Sequence, residues 1–280
     1  MYNPLTFCIS TYNNLPYLKI AVESVRKNSF FKNAPFIIHA ENCTDGTNDW
    51  LHENKDVYNL TLLIEPDNSV IRGIGGGMNI CAEHVTTEYI MFLHSDFFVS
   101  NNWDLECLKI FDKYPDIPMW VFSHRIQPNI FNEHSRPGTL IVPNNYFGAY
   151  YNDFDSELFL DYASEFSRLN DFEIELGEGV SGLIRKKDWD FIGGNDPIFS
   201  PTSWEDKDLF LRMVIQGYKF VVTSKSVVWH FGARGSHRLE ENSGKSSQRQ
   251  IESENKNIHN WLTKWKKMPV FNENGFIKNW

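Results

Sequence analysis

The chain has 280 residues, a net charge of −9, 41% apolar and 22% charged residues, a composition that fits one large globular domain or two small ones. No basic patch recurs with aromatics, which argues against nucleic acid as the main partner. No apolar run approaches the ~18 residues needed to span a bilayer, and the N-terminal Met1-Tyr-Asn-Pro-Leu-Thr6 lacks the basic and apolar regions of a secretory leader.

Four scattered cysteines (Cys8, Cys43, Cys81, Cys107) show no paired metal spacing and read as small buried residues in a reducing, cytoplasmic setting. Leu5-Thr-Phe-Cys-Ile9 reads as a strand ending in the polar break Ser10-Thr-Tyr-Asn13. Asn14 is placed to cap a helix with Pro16 in its first turn and an apolar stripe of Leu18, Ala21, Val22 and Val25. Phe36-Ile-Ile-His-Ala40 is a second strand, and Glu41-Asn-Cys-Thr-Asp-Gly-Thr47 a polar turn that opens a helix around Trp50 and Leu51. Leu60-Thr-Leu-Leu-Ile64 is a third strand, giving the β-α-β-α-β order of a doubly wound parallel sheet. Arg72-Gly-Ile-Gly-Gly-Gly-Met-Asn79 lacks the Lys-Ser/Thr of a phosphate loop and does not follow the first strand, so it reads as a flexible turn before a helix over residues 78–85.

Tyr89-Ile-Met-Phe-Leu93 has the length and composition of a strand buried on both faces, and it runs into His94, Ser95 and Asp96. Alternation puts His94 and Asp96 on one face, where an imidazole and a carboxylate can hold a divalent metal or orient a phosphate-bearing ligand. Equally, Asp96 can simply cap the following turn. Residues 103–114 read as a helix and Met119-Trp-Val-Phe122 as a strand, whereas residues 125–177, with Pro128, Pro137 and Pro143, show no pattern that orders them. Gly179-Val-Ser-Gly-Leu-Ile184 reads as a short strand, residues 188–191 as a short helix and Gly193-Gly-Asn-Asp196 as a turn. Glu205 and Asp206 precede an amphipathic helix, where the plain reading is dipole capping. Two strand-like segments, 220–222 and 227–229, lead to His230. The polar residues 238–256 read as a mobile loop entering a solvated helix, which Trp261, Leu262 and Trp265 dock on the body.

Taken together these pieces resemble the inverting family 2 glycosyltransferases, over residues 5–230. Phe7-Cys-Ile-Ser-Thr-Tyr-Asn13 is similar to that family's first strand and Tyr-Asn turn, and Glu41-Asn-Cys-Thr-Asp-Gly-Thr47 to its acidic second turn. Gly77-Met-Asn79 through Glu88-Tyr-Ile90 resembles its Asn-containing helix and central strand, and Ser95-Asp96 stands at its metal-binding acidic motif. Gly193-Gly-Asn-Asp196, Glu205-Asp206 and Leu211-Arg212 resemble the acceptor-side motifs. His94 and Ser95 stand where many relatives carry another acidic residue.

The resemblance implies a GT-A fold, an α/β Rossmann-like and mostly parallel sheet flanked by helices, with a C-terminal helical extension. It implies a catalytic domain over 1–230 (donor half 1–100, acceptor half 101–230) and a loop and tail over 231–280. Ser10, Thr11, Tyr12 and Glu41 would contact the nucleoside of a nucleoside-diphosphate sugar, UDP-linked by the same resemblance, with Arg72, Asn79 and Ser95 also on the donor. Asp96, His230 and His94 would hold Mn2+ or Mg2+. Asp206 would be the general base for a glycan or glycoconjugate acceptor, with Glu205 shaping the acceptor site. Arg234 and His237 would close a 232–250 lid over the diphosphate; alternatively that segment is a plain linker. A non-catalytic nucleotide-sugar or glycan-binding relative is the competing reading, and a sugar-1-phosphate nucleotidyltransferase lacks its glycine-rich signature at Ser10-Thr-Tyr-Asn13.

Overall fold

A computed structural model of the protein describes residues 3–65, 71–130, 134–176, 182–232, 248–273 and 277–279. The elements follow as β1 (Leu5–Thr11), α1 (Leu15–Asn28), β2 (Phe36–Glu41), α2 (Thr47–Asn54), β3 (Leu60–Glu65), α3 (Gly73–Glu83), β4 (Tyr89–His94) and β5 (Phe97–Val99). Then come α4 (Trp103–Lys113), β6 (Met119–Pro128), β7 (Thr139–Val142), α5 (Ser156–Leu169), β8 (Glu173–Leu176), β9 (Gly182–Arg185), α6 (Lys186–Ile192) and α7 (Glu205–Ile215). The long β10 (Lys219–His230) leads to α8 (Gln248–Trp265) and the small pair β11 (Val270–Phe271) and β12 (Ile277–Asn279).

One ten-stranded sheet runs in the order β3-β2-β1-β4-β9-β6-β10-β5, with β7 beside β6 and β8 beside β10. The pairs among β1 to β4 are parallel, as is β6 with β10, while β9 joins β4 and β6 in the antiparallel sense. Because β9 bridges them, strands from both halves of the chain share one sheet. The strand order reverses between β1 and β4, and a crevice at such a switch point, outside the carboxyl ends of the strands, is where open α/β sheets bind ligands. Ser10 and His94 are register partners there.

Period-two alternation splits the buried side chains between two layers. Phe7, Ile9, Phe36, Ile38, Met91 and Leu93 pack with α1, α2 and α4. Cys8, Ile37, Ile90, Phe92, Trp120 and Phe122 pack with α3, α6, α7 and Trp261 of α8. The run from Tyr89 to Leu93 is buried throughout, as a two-faced strand should be. Trp120 lies in this core, 2% exposed. The four cysteines are free thiols, and Cys8, Cys81 and Cys107 are buried. Among the described residues no helix is long and apolar enough to cross a membrane.

Several segments differ from the sequence reading. The glycine cluster is the first half of α3 rather than a turn. Glycine is a poor helix former, but close approach decides here: a Cβ on Gly73 would overlap the Pro201 carbonyl oxygen, and one on Gly77 would overlap Ser10 Oγ. Asn14 stands at the α1 N-cap without a capping bond; its amide donates to Ser95 Oγ at 2.9 Å. Within the unordered 125–177 stretch lies α5, whose Asp155 side chain accepts from Leu158 N and whose Phe159 and Ala163 are buried. The segments 220–222 and 227–229 are one strand, interrupted by a register shift between Thr223 and Val227.

Candidate active site

At the end of β4 the chain turns through Ser95 and Asp96 and returns as β5. That strand pairs antiparallel with β10, so that Phe97 stands opposite His230. The turn therefore carries the chain from the end of β4 to the end of β10. One ligand atom from each of His94, Asp96 and His230 lies within 4.8 Å of the others. His230 Nε2 is 3.4 Å from Asp96 Oδ2, and the Phe97 ring packs against both imidazoles. Phe231 N donates to the Asp96 carbonyl at 3.1 Å, which ties the two strand ends together.

Burial pushes the His94 pKa down to about 4; the Asp96 carboxylate works against this, and His230 and Arg125 add to it. A neutral imidazole is what a metal requires of a histidine ligand. His230 Nδ1 lies 3.4 Å from Gln127 Oε1, a contact that orients the ring. Two imidazoles and a carboxylate on separate strand ends therefore fit a divalent metal. Hydrogen-bond partners that orient a metal-binding side chain are worth about 10–100-fold in metal affinity. Gln127→Leu is expected to weaken Mn2+ binding by about tenfold, read by titration calorimetry; unchanged affinity would remove Gln127 from that role.

The donor-side candidates lie along β1, β2 and the start of α3. Ser10 Oγ is 3.1 Å from His39 Nδ1, and His39 Nε2 is 3.7 Å from Glu65 Oε2. Burial lowers the His39 pKa, with Glu65 and Glu41 pulling it back up. Both Glu41 oxygens accept backbone N–H groups, from Arg72 at 2.6 Å and Gly73 at 2.9 Å, and so serve the N-terminus of α3. The Arg72 side chain reaches Glu65 at 2.7 Å. Thr11 Oγ1 is buried with no partner among the described residues. The Asn79 amide donates to Asn195 O and accepts from Asn195 N, pinning the 193–196 turn. Arg234 and His237 lie outside the described residues.

Glu205 and Asp206 occupy the first turn of α7 but differ in environment. Glu205 is buried against Gly75, and its Oε2 has no hydrogen-bond partner among the described residues. Burial, and then the neighbouring Asp206, push its pKa up to about 8. Asp206 is exposed and accepts from Lys207 N at 2.7 Å. The folded chain thus keeps Glu205 protonated where the unfolded chain, near 4.5, has released that proton. Stability from this group is present below about pH 4.5 and is lost as pH rises to about 8. Glu205→Gln is expected to flatten that fall, measured as Tm against pH; parallel profiles for the two proteins would contradict it.

Sequence reading missed Gln127 and Arg125, neighbours on one face of β6 that meet this site from a distant part of the chain. Their signal was the alternation His124-Arg-Ile-Gln127, visible only once β6 was extended past Phe122.

The sheet order, the flanking helices and the site at the β1/β4 switch point define a GT-A-like fold. Residues 6–172 match the family described as Glycosyl transferase family 2, and the chain belongs to that family. Similar solved structures include TarS of S. aureus, at 14% identity and TM-score 0.57, over 83% of this chain and 37% of that one. Residues 1–349 of TarS in complex with UDP match at 16% identity and TM-score 0.53, over 81% and 60%. GalNAc-T7 with UDP, GalNAc and Mn2+ matches at 14% identity and TM-score 0.59, over 81% and 43%. The chain thus spans 37–60% of the length of these structures, and the likeness is one of fold. No curated protein sequence matches the chain.

Proposed function

We propose that the protein transfers a sugar from a UDP-linked donor to a hydroxyl of a glycan or glycoconjugate, with inversion at the anomeric carbon. The observation that carries this reading is the meeting of His94, Asp96 and His230 beside Ser10 at the β1/β4 switch point. The family match and the UDP in the two solved neighbours support the donor class. In this reading residues 1–100 are the donor half, with Ser10, Thr11, Tyr12, Glu41, Arg72, Asn79 and Ser95 toward the nucleotide. Arg234 and His237 meet the diphosphate. Residues 101–230 form the acceptor half.

His94, Asp96 and His230 would hold the divalent cation, which when bound offsets the charge of the leaving diphosphate. A set with two imidazoles suits Mn2+ better than Mg2+, which favours all-oxygen ligands; GalNAc-T7 was solved with Mn2+. Asp206 takes the proton from the acceptor hydroxyl as its oxygen bonds to the anomeric carbon and the bond to the diphosphate breaks. In-line attack inverts that carbon, so one base suffices and no covalent nucleophile is needed. The setting we propose is cytoplasmic, in keeping with the free thiols.

The test is UDP release from a panel of UDP-sugars, among them UDP-N-acetylgalactosamine and UDP-glucose, with Mn2+ and a mixed glycan acceptor pool. Release from one member, stimulated by acceptor, is expected. Tight UDP binding with no turnover of any member would overturn the enzyme reading in favour of a non-catalytic binding relative.

A further inference from the structure

We infer that α8 is part of the catalytic apparatus: Asn257 and Ser253 are positioning residues that hold the link before α7 in the shape that presents Asp206. The inference rests on the proposed role of Asp206 as base.

The link over residues 200–204 is neither helix nor strand. It ends in two consecutive non-glycine residues with left-handed backbone, Ser203 at φ 74° and Trp204 at φ 73°. A bulky aromatic residue there is an outlier, and such geometry persists only where its surroundings over-determine it. The carbonyls of this segment have no ladder of their own, and a buried carbonyl needs a donor.

α8 supplies the donors. Asn257 is fully buried, and its Nδ2 donates to Phe199 O, Thr202 O and Ser203 O at 2.6, 2.8 and 2.9 Å. Ser253 Oγ donates to Thr202 O at 2.5 Å, Lys256 Nζ to Ser200 O at 3.0 Å and Asn260 Nδ2 to Ile198 O at 2.8 Å. Residues 253, 257, 260 and 264 recur at helical spacing and so form one stripe. Lys264 Nζ continues it, 2.7 Å from both Asp196 Oδ2 and Asp208 Oδ1, and Trp265 Nε1 donates to Asp208 Oδ1 at 2.9 Å. The Trp204 ring packs on Trp261 at 5.3 Å.

Docking a helix requires only an apolar face. The buried Asn257 amide and Ser253 hydroxyl, aimed at the Thr202 and Ser203 carbonyls of one strained link, do more: they specify the backbone shape of that link. Asp206 lies two residues beyond Trp204, so relaxing those dihedrals rotates the start of α7 and moves the carboxylate. The donor-side residues on β1, β2, β4 and β10 make none of these hydrogen bonds, and the link meets the donor side through Pro201 on Gly73 and not through the carbonyls that Asn257 and Ser253 hold. Loss of the clamp should therefore lower kcat and leave nucleotide affinity alone.

The experiment compares Asn257→Ala, Ser253→Ala, Asp206→Asn and Ile110→Ala, the last a core truncation on the opposite layer of the sheet. For each, kcat and KM are measured as UDP release from UDP-N-acetylgalactosamine or UDP-glucose with Mn2+. UDP affinity and Tm are measured in parallel. A misplacement of about 1 Å can cost about 100-fold in rate, so Asn257→Ala is expected to lose about 10- to 100-fold in kcat with its UDP affinity within about twofold of the parent. Ser253→Ala should show a smaller loss of the same kind, and it carries the test should Asn257→Ala fail to fold. Ile110→Ala should lower Tm with kcat retained. Undiminished kcat in Ser253→Ala and Asn257→Ala, with turnover abolished in Asp206→Asn, would overturn the clamp and leave the base in place. Retained turnover in Asp206→Asn would overturn the base assignment and the clamp with it.

Discussion

Asp206→Asn is expected to lower kcat by about 10²- to 10⁴-fold, the usual contribution of a positioned general base, with UDP affinity unchanged. The amide keeps the size and most of the hydrogen bonding of the carboxylate but cannot take a proton. The two adjacent carboxyl groups of α7 are told apart by environment rather than by sequence. Glu205 is buried with a pKa raised to about 8, whereas Asp206 is exposed. Groups pushed apart in this way take different roles. A solvent-facing carboxylate is the one free to meet an acceptor hydroxyl, and a buried protonated one serves packing. Kinetics of Asp206→Asn beside Glu205→Gln decide the matter: full loss in Glu205→Gln with activity kept in Asp206→Asn would reverse the two roles.

Asp96→Ala is the second substitution with a large expected effect. It removes the only carboxylate of the His94, Asp96 and His230 group. Mn2+ binding and the Mn2+-dependent part of nucleotide binding should be lost. A ligand at about 100 times its Kd contributes about 2.7 kcal/mol of apparent stability, so the loss is readily measured. Stability without metal should fall as well, since Asp96 is 5% exposed and the truncation breaks its buried contact with His230. The signature is therefore a folded protein whose Tm is blind to Mn2+. A folded variant that still gains stability from Mn2+ would place the ion elsewhere.

Much of residues 1–100 was legible because its signals are local. The alternation in Phe36-Ile-Ile-His-Ala40 and the unbroken apolar run at Tyr89 are set by which faces each strand buries, and the structure places both in the sheet. The glycine cluster was misread because helix propensity is local whereas the reason for those glycines is not. Gly73 and Gly77 admit Pro201 and Ser10, which come from remote parts of the chain. Asn14 likewise has the chemistry of a cap but spends its amide on Ser95. α5 was hidden by flanking prolines and loop residues, although Asp155 and the Phe159–Ala163 spacing do mark it.

The site was legible as residue types and not as geometry. His94 and Asp96 are two apart, but their meeting with His230 depends on β5 pairing with β10, and long-range strand pairing leaves no trace in a window of sequence. The same holds for Gln127, whose relevance appears only when β6 lies beside β10. The difference between Glu205 and Asp206 is equally non-local, since it comes from Gly75 of α3 packing on one of them.

The most direct test is thermal unfolding of the full chain with UDP, with Mn2+, and with both, beside the Asp96→Ala variant. Binding to the native state raises apparent stability by mass action. The expected result is a rise in Tm with UDP that grows when Mn2+ is added, the added part vanishing in Asp96→Ala. A Tm that ignores UDP with and without Mn2+ would contradict a nucleotide-sugar site at the β1/β4 switch point.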